Sequence, residues 1–187
     1  MNNPDEVSHL KSTVARHAVS FLDDDMIVGV GSGSTVREFI KELSKTDLNI
    51  RCVPSSHDTE LLLLEHGICV ASPLEVSSID VAIDGADSVI PDKSILLKGG
   101  GAALTREKII DYSASRLVII VDYTKLDREF PVVVEIIPFA YPFLRNKLSR
   151  IGEPKLRMST RKVGPIITDN GNWIIDLHME MTRLSRD

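Results

Sequence analysis

"MIVGVGSGSTVREF", Met26 to Phe39, changes its hydrophobic rhythm halfway along. Its first five residues are an apolar run of the kind that forms a β-strand buried on both faces. Gly29, Gly31 and Gly33 then let the chain turn tightly, and helical spacing takes over from about Val36 to Leu43. The same alternation spreads to either side. An amphipathic helix is expected over Glu6 to Leu22, and further strands at "NIRCV" (Asn49 to Val53), "ICVAS" (Ile68 to Ser72), "DVAID" (Asp80 to Asp84) and "RLVIIVD" (Arg116 to Asp122, a buried fifth strand). Helices are expected over "HDTELLLLEHG", stopped by Gly67, and from about Ala102 to Ala114. Strands alternating with helices in this way predict the α/β class, an open, mostly parallel sheet with flanking helices, Rossmann-like in layout.

The pattern changes after "FPVVVEIIP", where Pro131 and Pro138 bracket a strand and a helix follows from about Tyr141 to Ile151. "GPIITDNGNWIIDLH" reads as a hairpin turning at Asn170-Gly171, a pair that supplies the positive φ angles of a tight turn. The expected organisation is a catalytic sheet domain over residues 1–130 and a small α+β appendage over 131–187.

The composition, 187 residues with 43% hydrophobic and 26% charged, allows a real core. A net charge of -5 without any basic run argues against nucleic-acid binding. The charged N-terminus does not read as a secretion signal and no run reaches membrane-spanning length, so a cytoplasmic protein with no membrane partner is expected. Cys52 and Cys69 lie in apolar segments and read as small core residues, and the five histidines are scattered, so no metal site can be argued from them.

Ligands of parallel sheets collect beyond the carboxyl ends of the strands, and the unusual residues of this chain fall there. Gly31, Ser32, Gly33, Ser34 and Thr35 form a phosphate cradle by composition, with backbone N–H groups free at a helix N-terminus and hydroxyl donors beside them. A dinucleotide fingerprint would want glycine where Val36 stands and an acid where Pro54 to Ser56 stand, and a Walker A loop would want Gly-Lys before the hydroxyl residue. A small phosphorylated metabolite fits better, although a lone glycine loop is as often a capped strand-to-helix turn. "DGAD", Asp84 to Asp87, offers two carboxylates for sugar hydroxyls or protons; aspartates also stabilise turns by binding their own backbone.

In "LKGGGAALTREKII", Gly99, Gly100 and Gly101 expose backbone donors before a helix and Lys98 adds a cation, the equipment for a developing oxyanion. Glu107 shares a helical stripe with Ala103, Leu104, Ile110 and Ala114. Placing a carboxylate on an apolar stripe is costly unless something requires it, and burial there would raise its pKa toward the range of a general base. A Glu paired with a lysine is the plainer alternative. Lys125, in "VDYTKL", either meets a phosphate or substrate hydroxyl or is a solvated charge. Together these features suit proton transfer beside the carbonyl of a sugar phosphate, as in an aldose-ketose isomerase.

"GVGSGST", "DGAD", "LKGGGAALTREKI", "VDYTKL" and "ITDNGNWIIDLH" occur in the order that resembles the A-type ribose-5-phosphate isomerase family, from about Lys11 to about His178. The resemblance implies interconversion of D-ribose 5-phosphate and D-ribulose 5-phosphate in the non-oxidative pentose phosphate pathway, with no metal and no cofactor. It makes Glu107 the proton acceptor and gives Asp84 a part in opening the furanose ring. Ser32, Gly33, Ser34 and Thr35 match one substrate loop, Asp84, Gly85, Ala86 and Asp87 a second, and Lys98, Gly99, Gly100 and Gly101 a third. Lys125 matches a further substrate contact and Lys11 a phosphate contact. A homodimer or homotetramer, assembled with help from the small domain, is also implied.

Two departures stand out. Ser88 replaces the family's usual Glu after "GAD", and the chain stops at "LHMEMTRLSRD" where family members continue through another helix and strands, which would leave a sheet edge exposed. A sugar-phosphate-binding module that lost activity is therefore a second reading, against which the retained Glu107 and Lys98 speak. A nucleotide-dependent oxidoreductase, the third, is disfavoured by the missing glycine and acid.

Overall fold

The structure is a computed structural model that describes residues 4 to 180. The chain divides into two compact units, one of residues 1–86 and 105–125 and the other of residues 87–104 and 126–187.

The first unit holds a four-stranded parallel sheet in the order β2-β1-β3-β6, from Ile27–Val30 (β1), Arg51–Pro54 (β2), Ile79–Asp84 (β3) and Ala114–Ile119 (β6). All four residues of β1 are buried, as the unbroken apolar run requires of a central strand. Gly29 serves close packing: a Cβ there would lie 2.4 Å from the Ile110 side chain of the helix Leu104–Ser113 (α4), so bare backbone lets helix and sheet approach. The helix Ser34–Leu43 (α2) buries Val36, Phe39, Ile40 and Leu43, one face at helical spacing, while Lys41 pairs with Glu38 outside. The helix Pro4–Val19 (α1) buries Ala15 and Ala18 in the same core, and the helix His57–Glu65 (α3) starts at Ser56, whose hydroxyl accepts from the Thr59 N–H at 3.1 Å.

The second unit contains a short antiparallel hairpin, Ser88–Ile90 (β4) with Ile95–Leu97 (β5), and a three-stranded antiparallel sheet. The order of that sheet is β7-β9-β8, from Val132–Ile136 (β7), Glu153–Leu156 (β8) and Trp173–His178 (β9), with the helix Tyr141–Leu148 (α5) between β7 and β8 in sequence. Ile174, Ile175 and Leu177 of the central strand are buried. Pro154 is tolerated because β8 lies at the edge of its sheet. Glu135 Oε1 accepts from Thr168 Oγ1 at 2.8 Å and from Asn170 Nδ2 and Asn172 Nδ2 at 3.0 Å each, which ties the Asn170-Gly171 turn to β7.

The α/β class and the added α+β elements match the expectation, with four local differences. Ile68 to Ser72 is not a strand but a single bridge, Cys52 to Val70, because the chain turns away at Ser72, where the Glu75 N–H donates to its carbonyl. The expected hairpin around Asn170-Gly171 keeps its turn, with Gly171 at φ 74°, but its first arm makes no ladder; β9 pairs with β7 and β8 instead. β6 is an edge strand whose Ser115, Arg116 and Leu117 are exposed, whereas a buried strand was expected. Cys69 is exposed, while Cys52 is fully buried and burial pushes its thiol up to about 12, leaving it protonated and inert. Residues 181–187, the last of the stretch noted above at "LHMEMTRLSRD", lie outside the described residues.

Phe39 has no exposed surface, so Phe39→Ala should remove about 3–5 kcal/mol of stability by chemical denaturation. A change of about 0.5 kcal/mol, typical of a surface position, would contradict its place in the core.

Candidate active site

Three chain segments of the first unit converge on one hydrogen-bonded group. β1 ends at Val30, and the Gly31 N–H donates to the Ile83 carbonyl of β3 at 3.0 Å, which keeps the glycine loop against the strand carrying Asp84. The fit leaves no room for a side chain: a Cβ on Gly31 would lie 1.9 Å from Asp84 Oδ1. Thr59 of α3, 2% exposed, donates its hydroxyl to the Gly31 carbonyl at 2.7 Å and holds the loop from the other element. Gly33 takes φ 98° at the cap of α2, a conformation that favours glycine.

Asp84 is fully buried at the carboxyl end of β3, where Oδ1 accepts from the N–H groups of Gly85 at 2.6 Å and Ser32 at 3.3 Å. Glu107 is 5% exposed on the first turn of α4, and its Oε1 accepts from the Ser32 hydroxyl at 2.5 Å. The inward stripe expected for Glu107 is present, since Ala103 and Ile110 are buried with it. Ser32 therefore binds one acid through its backbone and the other through its side chain. Two buried carboxylates are costly to desolvate, and fixed donors of this kind offset part of that cost.

Lys11 of α1 donates to the Ser34 hydroxyl at 2.9 Å, and the two line an open groove of about 510 Å³ together with Thr124 and Glu38. Thr35 is buried at the start of α2. Asp122, 3% exposed after β6, accepts at Oδ1 from the Thr124 N–H at 3.0 Å and from its hydroxyl, and the Lys125 N–H donates to the Asp122 carbonyl at 3.1 Å. Lys125 itself is half-buried.

In the second unit, Asp87 and the glycine run meet. The Asp87 N–H donates to the Leu97 carbonyl at 2.8 Å, and Asp87 Oδ2 accepts from the Gly100 N–H at 2.8 Å. Asp84 and Asp87 thus both bind backbone amides, the turn-stabilising use of aspartate. Gly99 adopts φ 102° against β7, where a Cβ would lie 2.8 Å from Val133, and a Cβ on Gly100 would meet Asp87 at 2.5 Å. Lys98 is half-buried. Ser88 is fully buried and donates its hydroxyl to the Arg128 carbonyl at 2.7 Å, a bond an ionised carboxylate could not make.

The profile of the family described as ribose 5-phosphate isomerase A (phosphoriboisomerase A) matches residues 51–186. This chain belongs to that family. The ribose-5-phosphate isomerase A of Methanococcus aeolicus is 43% identical over 173 residues, which cover 88% of this chain and 74% of the relative. That of Thermococcus kodakarensis is 44% identical over 180 residues, 91% of this chain and 78% of the relative. Among solved structures, ribose 5-phosphate isomerase A from Methanocaldococcus jannaschii superposes with a TM-score of 0.89 at 41% identity, covering 92% of this chain and 80% of that one. A D-ribose-5-phosphate isomerase in complex with phospho-erythronic acid gives the same TM-score at 43% identity, covering 96% and 80%.

The hydrogen bonds bring out three further residues that sequence reasoning did not single out: Thr59, which pins Gly31, and Arg157 and Asp176, which touch or support the glycine run. None carries a local signal, since each acts on a partner at least 19 positions away in the chain.

Gly31→Ala should force the Asp84 carboxylate from its buried donors and cost about 1–3 kcal/mol in denaturant unfolding, the usual penalty for a stranded buried polar group. Wild-type stability in that variant would show that Asp84 does not need its present position.

Proposed function

We propose that this chain interconverts D-ribose 5-phosphate and D-ribulose 5-phosphate by way of an enediolate, in the non-oxidative pentose phosphate pathway, with Glu107 as the base. One observation carries the assignment: a carboxylate 5% exposed on α4, oriented by the Ser32 hydroxyl 2.5 Å away, in a member of the ribose 5-phosphate isomerase A family.

In this reading the furanose ring opens as Asp84 takes the proton of the C1 hydroxyl, the bond from C1 to the ring oxygen breaks, and the Asp84 acid returns the proton to that oxygen, which leaves the C1 aldehyde and a C4 hydroxyl. Glu107 then takes the proton from C2, and the C1 oxygen gains negative charge as the C1–C2 double bond forms. Lys98 and the glycine run hold that charge, stabilising the intermediate more than the bound sugar. The same carboxylic acid returns its proton to C1 while the C2 hydroxyl gives its proton to the C1 oxygen and becomes the ketone, so one group serves as base and then acid and no electrons leave the sugar. Asp87, Gly85 and Ala86 shape the hydroxyl-binding loop. Ser32, Gly33, Ser34 and Thr35, with Lys11 and Lys125, anchor the rest of the substrate, and the donation from Lys11 to Ser34 supports a basic, hydroxyl-rich anchor for an anion. The family resemblance also supports a homo-oligomer working in the cytoplasm.

Ribulose 5-phosphate formation by the purified 187-residue chain, with EDTA present, tests the activity directly. Glu107→Gln should then lower kcat roughly a hundred- to ten-thousand-fold with little change in KM. Normal turnover in that variant would refute the assignment. Binding of ribose 5-phosphate without ketose formation by the unaltered chain would favour a sugar-phosphate sensor instead.

A further inference from the structure

Three glycines in a row carry the largest conformational entropy a backbone can have, so a run meant to present its amides in one direction needs clamps from outside. One clamp is Asp87, which accepts from the Gly100 N–H. The other is on the opposite side of the same peptides. Arg157, directly after β8, donates Nη1 to the Gly99 carbonyl at 2.7 Å and to the Gly100 carbonyl at 3.2 Å. Its guanidinium is itself held by Asp176 of β9: Nε donates to Oδ2 at 2.9 Å and Nη2 to Oδ1. The pair is largely buried, with side-chain exposures of 16% and 19%, and strand pairing sets its geometry, because Lys155 and Leu156 of β8 lie opposite Asp176 and Ile175 of β9.

A planar peptide carries its C=O and the following N–H in opposite directions. Fixing the Gly99 carbonyl therefore fixes the Gly100 N–H, and fixing the Gly100 carbonyl fixes the Gly101 N–H. The first of these amides is occupied by Asp87, whereas the Gly101 N–H makes no hydrogen bond among the described residues. We propose that Arg157, oriented by Asp176, is a positioning residue that aims the Gly101 amide for the oxyanion of the reaction. This rests on the isomerase reading above. Arginine is required because one planar head must reach a carboxylate with two donors and two carbonyls with a third; a lysine ammonium has no such fork.

The test compares Arg157→Ala, Arg157→Lys and Asp176→Asn with the unaltered chain, using circular dichroism to confirm folding. Arg157→Ala is expected to lower kcat on the order of 100-fold with KM changed only a few-fold. Arg157→Lys should stay impaired, and added guanidinium ion should restore part of the kcat of Arg157→Ala. The backbone order parameters of the Gly100 and Gly101 amides should fall in both Arg157 variants, a readout independent of turnover. Unchanged order parameters, or a folded Arg157→Ala with wild-type kcat, would overturn the proposal. If Arg157→Ala does not fold, Arg157→Lys and Asp176→Asn decide on the same criteria. An unaltered chain that makes no ribulose 5-phosphate would instead count against the isomerase reading alone, with the order parameters still judging the clamp.

Discussion

A carboxylate can be buried only where donors meet it, and the hydrogen bond from Ser32 to Glu107 is where the first unit satisfies that constraint. The bond spans 75 positions of sequence, so it exists only because β1 and β3 are adjacent in the sheet and α4 packs close over Gly29. The same loop residue gives its N–H to Asp84. Ser32 is thus the point at which the sheet order becomes a chemical arrangement, and Gly31 before it leaves the space that the Asp84 carboxylate occupies.

The second unit solves a related problem with backbone in place of carboxylates. Consecutive glycines give close approach and free amides but no rigidity of their own. Asp87 from one side and the Arg157–Asp176 pair from the other supply it. Ser88 has a separate structural use, donating its hydroxyl to the Arg128 carbonyl.

Much of the fold was legible because its signals are local. The buried run of β1, the face of α2 and the stripe that buries Glu107 follow from periods of continuous, 3.6-residue and i, i+4 spacing within a few turns of chain. The differences arise where context overrides composition. Ile68 to Ser72 is as apolar as a strand, yet the turn at Ser72 leaves it one bridge, and Pro154 suppresses the strand signal of β8 although an edge position tolerates it. β4 and β5, three residues each, are too short for any periodicity to register. Within the candidate site, Glu107 and the glycine loops were visible from residue type and spacing. Thr59, Arg157 and Asp176 were not, because their roles depend on partners that only the folded chain brings near.

The account stands on the Glu107 carboxylate being the group that meets the C1–C2 carbons. A pentitol 5-phosphate carrying an epoxide across C1 and C2 would be opened by whichever nucleophile lies there, forming an ester that peptide mass spectrometry can place. One equivalent of label on Glu107, formed in step with loss of activity and slowed by ribose 5-phosphate, is the expected result. Label on another side chain, with Glu107 unmodified in the inactivated protein, would contradict it.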